Sequence, residues 1–189
     1  FRSLAGLYRG NDQTELAVET YRQLAELDPA LGPRSAAEVI ETYRSAKEFS
    51  KAQQEADTAA KKYTDDRVLR VTRNSLLAEM GKSEEAAADL KKMLGGKEDR
   101  EIYVSIASVY EKGQRWDDMA KALDAAEKLS DAPEEKEGIW FMRGAMFERR
   151  KKLEQAENEF RKVLKSNPDN AGAMNYIGYM LADANQRLE

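Results

Sequence analysis

Residues 139–168, IWFMRGAMFERRKKLEQAENEFRKVLKSNP, decide how the rest of the chain is read. Trp140, Gly144 and Phe147 recur at the three- and four-residue steps that bring side chains onto one face of a helix. Ala156 and Phe160 do the same in a second segment, and Pro168 ends it, since proline restricts the residue before it and cannot continue a helix. The stretch reads as one unit of two helices.

Working outward, the same unit recurs. Units start near 33, 67, 100, 137 and 171, spaced 34, 33, 37 and 34 residues apart. The first block holds Leu4, Ala5 and Tyr8, a break at Gly10-Asn11, a helix start at Asp12 with Glu15, then Ala17, Tyr21 and Leu24 before Pro29, Gly32 and Pro33. The second opens with a capping box at Ser35 and Glu38, followed by Val39, Ile40 and Tyr43, then small Ala52, Ala56 and Ala59. The third carries Val68, Val71 and Leu77, turns at Gly81, continues with Ala86, Leu90 and Met93, and stops at Gly95-Gly96. Tyr103, Ile106, Ala107 and Tyr110 lead to a turn at Gly113 and then to Trp116, Met119, Leu123 and Ala126. Pro133 suits the opening of the next helix, and Met174, Ile177, Gly178 and Leu181 mark a final first helix. The predicted architecture is all-α, about 11 helices in one array: units 1–32, 33–66, 67–99, 100–136 and 137–170, with a half unit 171–189. The chain opens at Phe1 and stops inside a unit, which reads as a segment of a longer protein.

Composition narrows the function. Of 189 residues, 31 are basic and 35 acidic, a net charge of −4 that lacks the basic footprint nucleic acid requires. Cys and His are both absent, which removes disulfides, thiolate zinc sites and His-based catalysis. No apolar run approaches a membrane span.

A paired-helix period of about 34 residues resembles the tetratricopeptide repeat (TPR) family. Trp140, Gly144, Phe147, Ala156, Phe160 and Pro168 carry that resemblance most fully, and Ala107, Gly178, Ala86 and Ala52 fall in its small-residue slots at the helix crossing. Arg143 in place of Leu, Asn74 in place of a small residue and Met119 in place of Ala depart from the pattern. The resemblance implies a right-handed superhelical solenoid of antiparallel helix pairs, with first helices lining a concave groove. Trp140, Phe147 and Phe160 are then core. The stretch 175–182 looks like bacterial TPR proteins, with bacterial cytoplasm and periplasm both open.

Other motifs carry little chemistry. Gly81-Lys82-Ser83 lacks the earlier glycine of a phosphate loop, with Leu76 there instead, and reads as a turn and helix N-cap. Asp65-Asp66 and Asp117-Asp118 lie at helix starts, where acids complement the helix dipole. Lys91-Lys92 and Arg149 to Lys152 are short basic runs on a solvated face. No catalytic residue, cofactor or metal site emerges.

Function is then expected on the groove. The resemblance places Val71, Val104 and Phe141 along one line, flanked by Ser75, Ser108 and Ala145, with Tyr179 at the far end. Arg34, Arg44, Glu111, Lys112, Glu148 and Arg149 rim it, with Arg2 and Arg9 adding to a basic N-terminal end. Such a slot suits an extended or helical peptide with apolar anchors, unless these residues pack between neighbouring first helices. Gly6, Glu41 and Ser75 stand where a carboxylate clamp would need Asn, so a C-terminal chaperone tail is not the expected ligand. The expected role is a non-catalytic scaffold for complex assembly. The alternatives are a self-associating spacer, for instance a homodimer through the last helix, and a regulatory module of an enzyme whose catalytic domain lies outside these residues.

Overall fold

A computed structural model describes residues 2–183, and among them it holds eleven α-helices and no strand. The chain divides into two compact units, 1–92 and 93–189. The first contains α1 (Arg2–Gly10), α2 (Thr14–Leu27), α3 (Gly32–Ser45), α4 (Phe49–Lys62), α5 (Arg67–Glu79) and α6 (Ser83–Lys91). The second contains α7 (Asp99–Lys112), α8 (Trp116–Lys128), α9 (Pro133–Arg149), α10 (Leu153–Ser166) and α11 (Ala171–Asp183). Odd-numbered helices are the first helices of hairpins and even-numbered ones the second.

One turn joins every hairpin. Asp12, Lys47, Gly81, Gln114 and Lys151 take left-handed φ angles of 58°, 60°, 82°, 53° and 58°. The next N–H in each case reaches back five residues: Gln13 to the Tyr8 carbonyl, Glu48 to Tyr43 and Lys82 to Leu77 at 2.9 Å, Arg115 to Tyr110 at 2.8 Å, and Lys152 to Phe147 at 2.9 Å. These bonds satisfy carbonyls that a helix end otherwise strands, and they start the second helix without a side-chain cap.

Several expected caps are therefore absent. Asp12 is the left-handed turn residue, and Glu15 instead accepts hydrogen bonds from Lys51 at 2.7 Å and the Tyr43 hydroxyl at 3.3 Å. Ser35 lies buried inside α3, because the chain already turns helical at Gly32 with Pro33 in the first turn; Glu38 pairs with Arg9 at 3.3 Å. Ser83 is the first residue of α6, not its cap, and its buried hydroxyl has no partner. Gly113 keeps an ordinary φ of −82°, and the left-handed residue is Gln114. Asp66 does cap α5, accepting from the Leu69 N–H at 2.9 Å.

Each core forms where paired helices cross. In the first unit Ile40 packs with Ala52, Ala56 and Ala59, a large side chain on one helix against three small ones on the other. In the second unit the sizes reverse: Phe160 is fully buried beside Gly144, and a Cβ at Gly144 would lie 2.8 Å from the ring. Removing a ring of that size from water contributes about 2–3 kcal/mol. Ala17, Ala52, Ala86, Met119 and Ala156 are completely buried at one register of the five second helices, so Met119 fits its slot.

Candidate protein-interaction face

In the first unit, Val71 and Ser75 are half-buried on α5, and Arg34 is exposed on α3. Arg44 is held between Glu41 of its own helix and Glu79 of α5, and Arg9 pairs with Glu38. The basic end read from the sequence is therefore neutralised at Arg9 and Arg44; the Arg2 side chain lies outside the described residues. An open cleft of about 490 Å³ runs past Arg34, Ala37, Glu38, Glu41, Val68 and Thr72.

In the second unit, Val104 and Ser108 are half-buried on α7, Ala145 is buried on α9, and Tyr179 of α11 is 67% exposed. Arg149 bonds Glu111 at 2.6 Å, tying the C-terminal ends of α9 and α7; Glu148 is half-buried and Lys112 exposed beside them. Phe141 is committed elsewhere. Its ring meets Phe160 edge-on at 5.5 Å and Tyr176 at 5.7 Å, while Phe160 stacks on Tyr176 at 4.7 Å. Phe141 thus wedges α9, α10 and α11 together, leaving Val104, Ser108 and Tyr179 as the accessible part of this face.

Two of the three departures from the repeat pattern, Asn74 and Arg143, turn out to be polar tie-points. Asn74 is completely buried, and its amide donates to Asp89 of α6 and to the Arg70 carbonyl, both at 2.9 Å. Arg70 adds a two-pronged contact to Asp89 at 2.8 and 3.0 Å. Arg70 first, and Asn74 with it, hold the Asp89 carboxyl down at about 2 against the cost of burial. Arg143, nearly buried on α9, reaches Glu127 at 2.7 Å, Asp124 at 2.9 Å and Glu159 at 3.4 Å, joining α8, α9 and α10. Burial pushes the Glu127 carboxyl up, but the Trp140 indole N–H at 2.7 Å and Arg143 outweigh it and keep it below the usual range. Trp140 is accordingly a half-buried polar anchor as well as a packing residue. An open cleft of about 620 Å³ lies over this cluster. The only sequence signal for either tie-point was a polar residue at an inward register.

Among the described residues no Cys, His, Asp or Glu group is arranged to hold a metal, and no helix is long and apolar enough to cross a membrane. Asp66 caps its helix, and Asp117 and Asp118 pair with Arg150 at 3.1 Å and Arg115 at 2.5 Å.

Comparison with known proteins points one way. The profile of the Psidin N-terminal TPR repeats region matches residues 42–174, more than half of the chain, and a tetratricopeptide repeat profile matches residues 3–31. No curated protein sequence matches. Among solved structures, a tetratricopeptide repeat protein from Parabacteroides merdae superposes with a TM-score of 0.70 at 16% identity, covering 94% of this chain and 68% of that one. A thermophilic TPR protein of Thermus thermophilus, TTC0263, gives 0.68 at 15% identity, covering 95% and 96%. YrrB, described as a TPR protein with an unusual peptide-binding site, gives 0.54 at 16% identity, covering 90% and 87%. At these identities the likeness is one of fold. Five hairpins closed by one turn, matched by repeat profiles and folded as solved repeat proteins are, belong to the tetratricopeptide repeat family.

Proposed function

We propose that the chain is a non-catalytic scaffold that holds a protein or peptide segment on the inner face of its first helices and so brings that segment into a complex. The observation that carries this reading is the second unit's face, where Ser108 and Tyr179 hold one register of their first helices, half-buried and exposed respectively, with half-buried Val104 one turn before Ser108, while the rim charges Glu111 and Arg149 satisfy each other. A rim already neutral offers little to a charged ligand end. Affinity then comes from apolar anchors set against Val104 and the Tyr179 ring, whose rigid, amphipathic surface suits a contact site. In the first unit, Val71 and Ser75 hold the corresponding registers of α5, both half-buried. YrrB, with the same fold, is described as having a peptide-binding site, which fits this reading.

A peptide-library screen on the chain tests it, run beside a Val104→Glu, Tyr179→Glu variant whose helicity is checked by circular dichroism. Neither substitution touches the Phe141 cluster, so the variant is expected to fold. Enriched peptides should share apolar anchors and bind the variant at least tenfold more weakly. Equal binding to both forms, or no enrichment at all, would overturn the proposal.

A further inference from the structure

The register four residues before the helix crossing holds a large side chain on four first helices: Arg70 on α5, Tyr103 on α7, Trp140 on α9 and Met174 on α11. On α3 the same register is Ala36, four residues before Ile40. On α5 and α9 the large side chain reaches a neighbouring second helix: Arg70 bonds Asp89 of α6, and the Trp140 indole N–H bonds Glu127 of α8. Ala36 is too short to do so, and a cleft of about 260 Å³ stays open over α3, between the C-terminal halves of α2 and α4. Its walls belong wholly to the first unit.

The floor of this cleft is apolar, lined by Ala25, Gly32, Ala36, Val39 and Ala59. Val39 stands at the register of Arg143. In the second unit Trp140 and Arg143 span the corresponding space, and the cleft over them is lined almost wholly by charged and amide side chains. Two hydroxyl-bearing residues also line the α3 cleft. Ser35 is only 4% exposed, and the Tyr63 hydroxyl lies against Gly32, leaving no room for a Cβ there. Neither hydroxyl has a hydrogen-bond partner among the described residues. Arg22 pairs with Glu55 across one flank at 3.0 Å. Glu26 on the α2 lip and Lys62 on the α4 lip are exposed, and neither is in an ion pair among the described residues; Lys62 sits 5.2 Å from the Tyr63 ring.

We propose that the cleft over Ala36 receives a tryptophan side chain of a partner protein, flanked in that protein by an acidic and a basic residue. The chain itself shows what suits the space, since Trp140 enters it from within one repeat pattern on. In the α3 cleft the ring lies on the apolar floor beside Tyr63, and its N–H answers an unpartnered hydroxyl, as the Trp140 N–H answers Glu127. The volume falls below the ~300 Å³ at which small-molecule sites begin, so it takes one ring system whose attachment stays outside. Lys62 and Glu26, on opposite lips, set the flanking charges by complementarity. A second copy of the chain is a poor source. Among the described residues Tyr179 is the one exposed aromatic, and its neighbours Gly178 and Met180 carry no charge. The cleft is distinct from the first-helix face proposed above, and either assignment can fail without the other.

The probe is acetyl-Asp-Trp-Lys amide, with the reversed order Lys-Trp-Asp beside it, titrated onto the full chain and followed by the NMR methyl signals of Ala36, Val39 and Ala59. At least one order should move these signals saturably, and the same peptide with alanine for tryptophan should not. Ala36→Trp gives α3 the ring that α9 carries at this register, so it should keep the circular dichroism and weaken binding at least tenfold. Ala36→Met places the flexible side chain of α11 there and serves if the larger substitution disturbs the fold. Lys62→Glu should weaken binding about threefold, the range of an exposed ion pair. The Val104→Glu, Tyr179→Glu variant should bind the probe as the parent does. No shift with either order, undiminished binding to the Ala36 variants or unchanged binding to Lys62→Glu would overturn the proposal. So would N-acetyltryptophanamide binding as tightly as the tripeptide, since the ligand would then be a free aromatic compound. A dimer in sedimentation that Ala36→Trp abolishes would do the same, since the occupant would be a second copy.

Discussion

Gly144 and Gly178 sit at one register of successive first helices, and adding a methyl group to each is expected to act in opposite directions. At Gly144 the new Cβ would lie 2.8–3.0 Å from the Phe160 ring, which is completely buried and flanked by Phe141 and Tyr176 and has nowhere to swing. Overpacking of that kind costs about 1–3 kcal/mol, more than the ~1 kcal/mol that alanine gains over glycine in a helix. Gly178 meets no neighbour, so only the helix gain remains. Urea unfolding should place Gly144→Ala below the parent chain and Gly178→Ala above it by about 0.5–1 kcal/mol; a stabilised Gly144→Ala would mean the crossing is looser than the ring geometry describes. Asp89 gives a second test at this scale. Its carboxyl is held at about 2, below its ordinary 3.8, so its pairing with Arg70 stabilises the fold fully above about pH 4 and is lost as pH falls through about 2. The shift corresponds to roughly 2 kcal/mol, and the partial exposure of Arg70 trims it to about 1. Asp89→Asn should trail the parent by about that amount at pH 6 and converge with it near pH 2; a gap independent of pH would assign the loss to packing instead of charge.

At the scale of helices, the Arg143 cluster joins three helices of the second unit and was the hardest tie to foresee. The repeat period, the hairpins and the inward faces were legible because apolar and small residues recur at fixed intervals, which needs no knowledge of partners. Arg143 and Asn74 read as packing faults for the opposite reason. Their partners lie on other helices, Asp89 fifteen residues beyond Asn74 and Glu159 sixteen beyond Arg143, and only the crossing geometry brings them together. The turns show the same limit: Gly113 marks the right place, yet the backbone puts the left-handed strain one residue later, on Gln114. On the interaction face, register arithmetic gives the side of the helix but not that Phe141 turns into the Phe160–Tyr176 stack or that Arg44 and Arg149 are claimed by Glu79 and Glu111. The Arg143 tie can be weighed with a double-mutant cycle. Arg143→Leu strands Glu159, only 10% exposed, and should cost about 2–3 kcal/mol, at or below the low end for a buried pair because Lys162 at 2.7 Å still serves that carboxylate. Adding Glu159→Leu should recover part of the loss, since the most buried carboxylate of the cluster is then gone, while Glu127 keeps the Trp140 indole and Asp124 is exposed. Purely additive losses would show that the two residues stabilise the hairpin separately.

For the molecule as a whole, the decisive property is that repeat hairpins bury their apolar stripes only against neighbours, so stability follows the number of complete hairpins a segment contains. Residues 1–92 hold three, α1–α2, α3–α4 and α5–α6, around a continuous cluster that runs from Ala5 through Ile40 and Ala56 to Leu76. Three is about the least that gives a stacked array a core of its own. Residues 93–189 hold two complete hairpins and α11, whose Met174 and Tyr179 remain exposed. Expressed separately, residues 1–92 should be helical and unfold in urea as one cooperative transition, with a slope near 1 kcal/mol per molar expected for a domain of this size. Residues 93–189 should also fold, through the Phe141–Phe160–Tyr176 cluster, but at a lower midpoint, because a larger share of their apolar surface faces water. Circular dichroism melts of the two fragments separate the possibilities. A non-cooperative first fragment would mean that the Ala5–Leu76 cluster is not self-sufficient; a second fragment at least as stable as the first would mean that the aromatic cluster and the Arg143 tie match the three stacked hairpins of the first.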